Sequence, residues 1–212
     1  MSVDKIDENL IILGSENSFV FFLDLRFKSS LAPLYEHMNE VCKVKYNHNM
    51  NMIVSGGNDN KIILYDIRGK SKCLKMFSHT AAIKALDFVS DRPILISGGG
   101  TFDKRIKLWD LKKFELISEK LTDCQISNVY SWKNNIITAN GFVANNIEMW
   151  KNDKGFHKLF QFKPHQKRIL FLTKSVCEKY LLSGSCDGMI NLWKIPEDQE
   201  KKNSLLESET LR

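Results

Sequence analysis

The 212-residue chain is 43% hydrophobic and 10% aromatic, enough to bury a sizeable core, which excludes an intrinsically disordered protein. Its 31 Lys and Arg stand against 25 Asp and Glu, a formal net charge of +6, but no basic run exceeds a few residues, so no nucleic-acid partner is expected. No signal-peptide pattern opens the chain and no apolar stretch approaches about 18 residues, so neither secretion nor membrane spanning is expected.

Taken in chain order, the first strand-like copy is ILGSENSFVFFLDLR (12–26), followed by His37. Residues 40–46, 51–57, 61–67 and 72–77 then read as runs of β-forming residues separated by polar turns, and predict four short strands. The centre of that group, VSGGNDNKIILYDIR (54–68), recurs as ISGGGTFDKRIKLWDLK (96–112), ITANGFVANNIEMWK (137–151) and LSGSCDGMINLWKI (182–195). Tyr65, Trp109, Trp150 and Trp193 are 44, 41 and 43 residues apart; His79 and His165 follow the same period, with Asp123 where a further histidine would fall. A period of about 40–45 residues with strand composition predicts propeller blades. The expected fold is therefore all-β: about four complete blades in residues 1–196, plus the final strands of a fifth at residues 12–26. Residues 197–212 are polar, follow a proline and lack core residues, so they read as a flexible tail ending in Leu211 and Arg212.

Three units share an Asp, five intervening residues and an aromatic: Asp59 with Tyr65, Asp103 with Trp109 and Asp187 with Trp193. This pattern resembles the WD-repeat tetrad, in which a His, a strand Ser or Thr, the Asp and a Trp hydrogen-bond together. The matching sets are His37, Ser55, Asp59, Tyr65; His79, Ser97, Asp103, Trp109; and His165, Ser183, Asp187, Trp193. Tyr65 departs from the indole donor, and the unit at 137–151 has Ala144 in place of the Asp. Ser, His and Asp together suggest a hydrolase triad, but a catalytic group is normally unique, whereas one repeated in each blade satisfies buried polar atoms. An enzyme using His79 or His165 thus has no unique constellation behind it, and no catalytic residue, cofactor or metal is expected. Cys42, Cys73, Cys124, Cys177 and Cys186 lack a Cys-x-x-Cys pair, so they read as reduced thiols, with Cys42 and Cys177 expected as small buried hydrophobes.

EVCKVKY, SGGNDN, HTAAIKALDF, SGGGTFDKRIKLWD, QISNVYSW, NGFVANNIEMWK and HQKRILFLT follow one another in an order that resembles the fizzy and fizzy-related activators of the anaphase-promoting complex. The resemblance covers nearly residues 10–196 and points to a divergent, fungal-type or meiosis-specific member. It implies a seven-bladed ring of which this chain is the C-terminal portion, and a non-enzymatic protein of nucleus and cytoplasm that presents degron-bearing substrates to a ubiquitin ligase. Successive strands run antiparallel, so turns between second and third strands, holding Asn58, Asn60 and Thr101, share an end with the residues that open later blades, Gln125 and Arg168. By the resemblance these five occupy the family's KEN-degron positions. Gly188 stands where the family has an acid that helps hold a destruction box. Leu211 and Arg212 match the Ile-Arg terminus with which family members dock onto a tetratricopeptide-repeat subunit of the ligase. A general WD scaffold for other protein partners is the alternative, in which Asn58, Asn60, Thr101, Gln125 and Arg168 are ordinary turn and surface residues.

Overall fold

A computed structural model describes residues 2–27, 29–30, 33–68, 72–90, 92–152, 155–163, 165–195 and 208–211. The first sheet is built in order from β1 (Ser2–Lys5), β2 (Leu10–Gly14), β3 (Val20–Asp24) and β4 (Ser29–Ser30). The second follows with β5 (Val41–Asn47), β6 (Met52–Gly57), β7 (Lys61–Asp66) and β8 (Lys72–Ser78). The third holds β9 (Ile83–Phe88), β10 (Ile94–Gly99), β11 (Arg105–Asp110) and β12 (Glu115–Leu121). The fourth holds β13 (Ile126–Trp132), β14 (Asn135–Asn140), β15 (Ile147–Asn152) and β16 (Phe156–Phe162). The fifth is β17 (Ile169–Lys174), β18 (Tyr180–Ser185), β19 (Ile190–Lys194) and β20 (Ser208–Leu211). Neighbouring strands within each sheet pair antiparallel through short turns, so each sheet is a meander.

Five four-stranded sheets correct the expectation of four blades and part of a fifth. Ser-Val-Asp-Lys in β1 carries no apolar alternation, and β4 is two residues long, so neither has a legible strand pattern; both are held by backbone pairing with β2 and β3. The expected tail also differs over Ser208–Leu211, whose backbone pairs with β19, Leu211 opposite Ile190. Residues 197–207 and Arg212 lie outside the described residues.

The chain divides into two compact units, Met1–Ile126 with the first three sheets and Ser127–Arg212 with the last two. In the first unit, β5 meets both β1 and β9, so the opening strands of successive sheets are neighbours. Middle strands such as β6 and β7 are buried almost continuously, whereas β12 is largely exposed. Val54, Ile62 and Leu64 of the second sheet pack with Ile83, Leu86, Leu95 and Trp109 of the third, each contributing about 1.5–3 kcal/mol by burial. A second cluster joins Ile12, Val20 and Phe22 to Val44, Ile53 and Tyr65. In the other unit, Ile137, Ile147 and Met149 pack with Leu172, Leu181 and Trp193. The pairing of third with fourth strands shifts by one residue at the aromatic in three sheets, at Leu64/Tyr65, Leu108/Trp109 and Met149/Trp150. Such a bulge re-aims the side chain beside it.

Candidate functional site

Each His-Ser-Asp set forms a hydrogen-bonded relay whose proton positions follow from the donors present. A carboxylate only accepts, so the His ring nitrogen facing it, Nδ1, carries the proton, and Nε2 accepts from the serine hydroxyl. In the third sheet His79 Nδ1 donates to Asp103 at 2.6 Å, Ser97 Oγ donates to His79 Nε2 at 2.7 Å, and Trp109 Nε1 donates to Ser97 Oγ at 2.8 Å. The fifth sheet repeats this with His165 and Asp187 at 3.1 Å, Ser183 and His165 at 2.9 Å, and Trp193 and Ser183 at 3.1 Å. In the second sheet His37 meets Asp59 at 3.0 Å and Ser55 at 2.7 Å. There Tyr65 Oη is buried with no partner in hydrogen-bond geometry, although Ser55 and Glu36 lie close enough to bear on its acidity. Burial raises the Tyr65 pKa most, Ser55 opposes it and the Glu36 carboxylate adds to it.

Burial also lowers the pKa of His79 and of His37, outweighing the pull of their aspartates, so both rings are neutral at pH 7. Asp103 is drawn up by burial, but hydrogen bonds from His79 and Thr80 outweigh that and hold it well below the usual carboxylate range. These sets carry the turns that follow them. Asp59 accepts the backbone N–H of Lys61 at 3.1 Å and of Met38 at 3.0 Å, and Asp103 accepts those of Arg105 and Thr80, both at 3.2 Å. Gly99 stands against the Asp103 carboxyl, which a Cβ at that position would strike.

Asn58 is held in the β6–β7 turn: its amide donates to Glu40 Oε2 at 2.7 Å and its oxygen accepts from the Cys42 thiol at 3.1 Å. Burial, with Glu40 adding, pushes that thiol up to about 11. Asn60 closes the same turn in the left-handed region at φ 65, a conformation Asn tolerates better than most residues. Thr101 is exposed in the β10–β11 turn and donates at 3.1 Å to Oε1 of Gln125, which is only 6% exposed. That bond orients the Gln125 amide without occupying its N–H groups. Asn58, Asn60, Thr101 and Gln125 thus belong to one unit, with Thr101 and Gln125 in direct contact and Asn58 committed to Glu40 and Cys42.

Arg168 belongs to the other unit. It is exposed just before β17, and its guanidinium lies 5.0 Å from the centre of the Phe142 ring, within cation–π range. Phe142 is held at φ 64, and Asn145 anchors their loop by donating to the Gln166 carbonyl at 3.1 Å. The fourth sheet, whose β14–β15 loop holds Phe142, replaces the tetrad with another network. Trp150 Nε1 donates to Thr138 Oγ1 at 3.1 Å, while the 2% exposed Glu148 accepts from Asn140 at 2.8 Å, Asn146 at 3.3 Å and Lys158 at 2.6 Å. Phe142, Glu40, Cys42 and Glu148 were not legible as site residues. Gly141-Phe142 has no counterpart in the equivalent turns of the other units, so no repeat marked Phe142, and Glu148 alternates with apolar neighbours as an exposed strand residue would.

Two expectations about cysteines need separating. Cys42 is partly buried, but Cys177 is exposed in the β17–β18 turn, where polar neighbours and not the strand pattern decide its setting. Gly188 adopts φ 80 with open space around its α-carbon, so the turn selects glycine for its backbone. The backbone of Leu211 lies in β20; Arg212 is outside the described residues.

Residues 28–66, 71–110 and 156–194, together more than half of the chain, match the family described as WD domain, G-beta repeat. The chain belongs to the WD-repeat family. Among its curated relatives, WD repeat-containing protein srw1 of Schizosaccharomyces pombe is 29% identical over 107 residues, 50% of this chain and 19% of that protein. The APC/C activator protein CDH1 of Saccharomyces cerevisiae is 30% identical over 112 residues, 50% of this chain and 20% of that protein. Meiotic fizzy-related protein 1 of Schizosaccharomyces pombe is 28% identical over 110 residues, 50% of this chain and 26% of that protein. The matched segment therefore spans about a quarter or less of each relative. The resemblance read from the motifs is the one these relatives carry: the chain is similar to WD-repeat activator and fizzy-related proteins, at modest identity. A chain in the crystal structure of the mitotic checkpoint complex superposes with a TM-score of 0.85 at 25% identity, covering 89% of this WD-repeat chain and 60% of that one. U3-55K, at 18% identity and a TM-score of 0.81 over 91% of this chain and 60% of its own, shares the fold.

Proposed function

We propose that this WD-repeat chain is the degron-binding part of an activator of the anaphase-promoting complex ubiquitin ligase, a non-enzymatic protein acting in nucleus and cytoplasm. The observation that carries the reading is the Thr101–Gln125 pair, in which an exposed hydroxyl holds a nearly buried amide whose N–H groups make no hydrogen bond among the described residues. Such a pair offers fixed donors to the Asn or Glu side chain of a KEN peptide. By the sequence resemblance Arg168, whose guanidinium lies 5.0 Å from the centre of the Phe142 ring, is assigned to the peptide Glu as a charge-assisted partner, and Asn60 is assigned a further polar contact. The relatives named as APC/C activator and fizzy-related proteins support the same role. Leu211 and Arg212 are assigned to docking on a tetratricopeptide-repeat subunit of the ligase, which requires the Leu211 backbone to leave β19.

One observation favours the alternative of a WD scaffold for other partners: Asn58 already spends its amide on Glu40 and Cys42. Calorimetric titration of a KEN peptide into the chain separates the two. Gln125→Ala and Arg168→Ala should each weaken binding by about 1–3 kcal/mol, the cost of one lost partner to a charged or buried group. Unchanged affinity in both variants, or no binding to the wild-type chain, favours the scaffold.

A further inference from the structure

A second groove lies in the unit Met1–Ile126, at the end of the second and third sheets opposite the Asn58 and Thr101 turns. It opens between the β5–β6 turn, the end of β7, the β9–β10 turn and the end of β11, and has a volume of about 650 Å³. That lies within the roughly 300–1,000 Å³ of typical ligand sites. Arg68, Arg92 and Lys112 line it, and among the described residues none that lines it is acidic. Arg68 pairs with Asp66 at 2.6 Å, but Arg92 and Lys112 are exposed and make no ion pair among the described residues. Asp110, the nearest acid to Lys112 in the chain, spends its carboxylate on the backbone N–H groups of Lys112 and Lys113. Asp91, beside Arg92 in the chain, lies outside the described residues. Lys113 follows Lys112 in the chain and is likewise exposed.

The floor differs in kind from the rim. Met50 and Met52 are half-buried against the core cluster, and Leu111 is 3% exposed. Thioether side chains adapt to varied apolar partners. The exposed Asn49 offers a free amide, able both to donate to and to accept from a peptide main chain. No aromatic lines the groove, so it lacks the stacking surface that single-stranded nucleic acid uses.

We propose that this groove binds an acidic peptide segment, its carboxylates on Arg92 and Lys112 and an apolar residue on the methionine floor. The site is separate from the degron face and does not depend on that assignment. The probe is a fluorescein-labelled Glu-Asp-Leu-Glu-Asp-Leu-Glu-Asp peptide titrated with the full chain and followed by anisotropy. Binding should weaken as salt rises. Arg92→Glu combined with Lys112→Glu should weaken it by about tenfold or more, since opposed charges then face the peptide. Lys120→Glu, on β12 near the other end of the third sheet, should change it by less than about twofold. The Arg92→Gln, Lys112→Gln pair, which introduces no repulsion, should still weaken binding measurably and serves if the reversal variant loses its circular dichroism. A peptide with Ser for both Leu residues should bind less well. The proposal is overturned if wild type does not bind, if the glutamine pair or an intact reversal variant binds unchanged, or if Lys120→Glu is as damaging. Equal binding of the serine peptide, or tighter binding of a decamer of adenylate RNA, overturns it as well.

Discussion

Ser97 Oγ is where two buried donors and acceptors meet: it gives its proton to His79 and takes one from Trp109. Ser55 serves His37 but receives no hydrogen bond from Tyr65 in the described geometry. Removing the hydroxyl therefore strands two groups in the third sheet and one in the second. Ser97→Ala should cost about 1–2 kcal/mol more than Ser55→Ala, read as the difference in urea-unfolding free energy. Equal costs would mean that Tyr65 does engage Ser55. The histidines also set a pH dependence. With folded pKa values of His37 and His79 below the ordinary 6.5, the unfolded chain binds protons first as pH falls, so their contribution is complete above 6.5 and is lost below it. Asp103, lowered from 3.8, adds a second loss at more acid pH, as its folded-state carboxylate is finally protonated. The thermal midpoint should be flat above pH 7 and fall progressively from pH 6.5 downward, and His79→Gln should flatten the upper part of that fall.

Strands were legible wherever a short run of β-forming residues stands between polar turns. The expected 51–57 and 61–67 coincide within a residue with β6, Met52–Gly57, and β7, Lys61–Asp66. β1 and β20 were not, because both are polar segments whose pairing is a property of the neighbouring strand and not of their own sequence. The one-residue shifts beside Tyr65, Trp109 and Trp150 were equally hidden, since a bulge leaves the run of residues unchanged and alters only what lies opposite. Gly188 shows backbone deciding a residue that motif comparison would change. Its left-handed φ makes Gly188→Glu cost about 1 kcal/mol even though nothing blocks the new side chain. Gly188→Asn should cost less, because Asn visits that region more readily; comparison of the two denaturation midpoints checks this.

At the scale of the molecule, Thr101 and Arg168 were legible as loop residues in repeated positions, each within its own unit. What those side chains do was less so: a hydrogen bond between Thr101 and Gln125, or a guanidinium over Phe142, joins residues 24 and 26 positions apart with no local signature. The docking role proposed for Leu211 and Arg212 carries its own test. As a small anchor it should act by tethering a chain already held elsewhere on the ligase. Deleting Leu211 and Arg212 should lower co-purification with the ligase while KEN-peptide affinity stays unchanged. Arg212→Lys should fail nearly as badly, since an ammonium lacks the planar fork.

The stretches that match the WD family do not coincide with the sheets. Residues 71–110 begin with β8, the last strand of the second sheet, and end with β11, the third strand of the next. Residues 156–194 likewise run from β16 of the fourth sheet through β19 of the fifth. What is copied in the sequence is thus not what folds as a sheet, but a stitch that closes one sheet and opens another. Loss of one such stretch would leave one sheet without its outer strand and the next without three, so the damage cannot be confined to a single blade. Gain of one by duplication would complete the first and supply the next, which makes whole stitches, and not whole sheets, the increments by which a chain of this kind can lengthen without exposing a new edge.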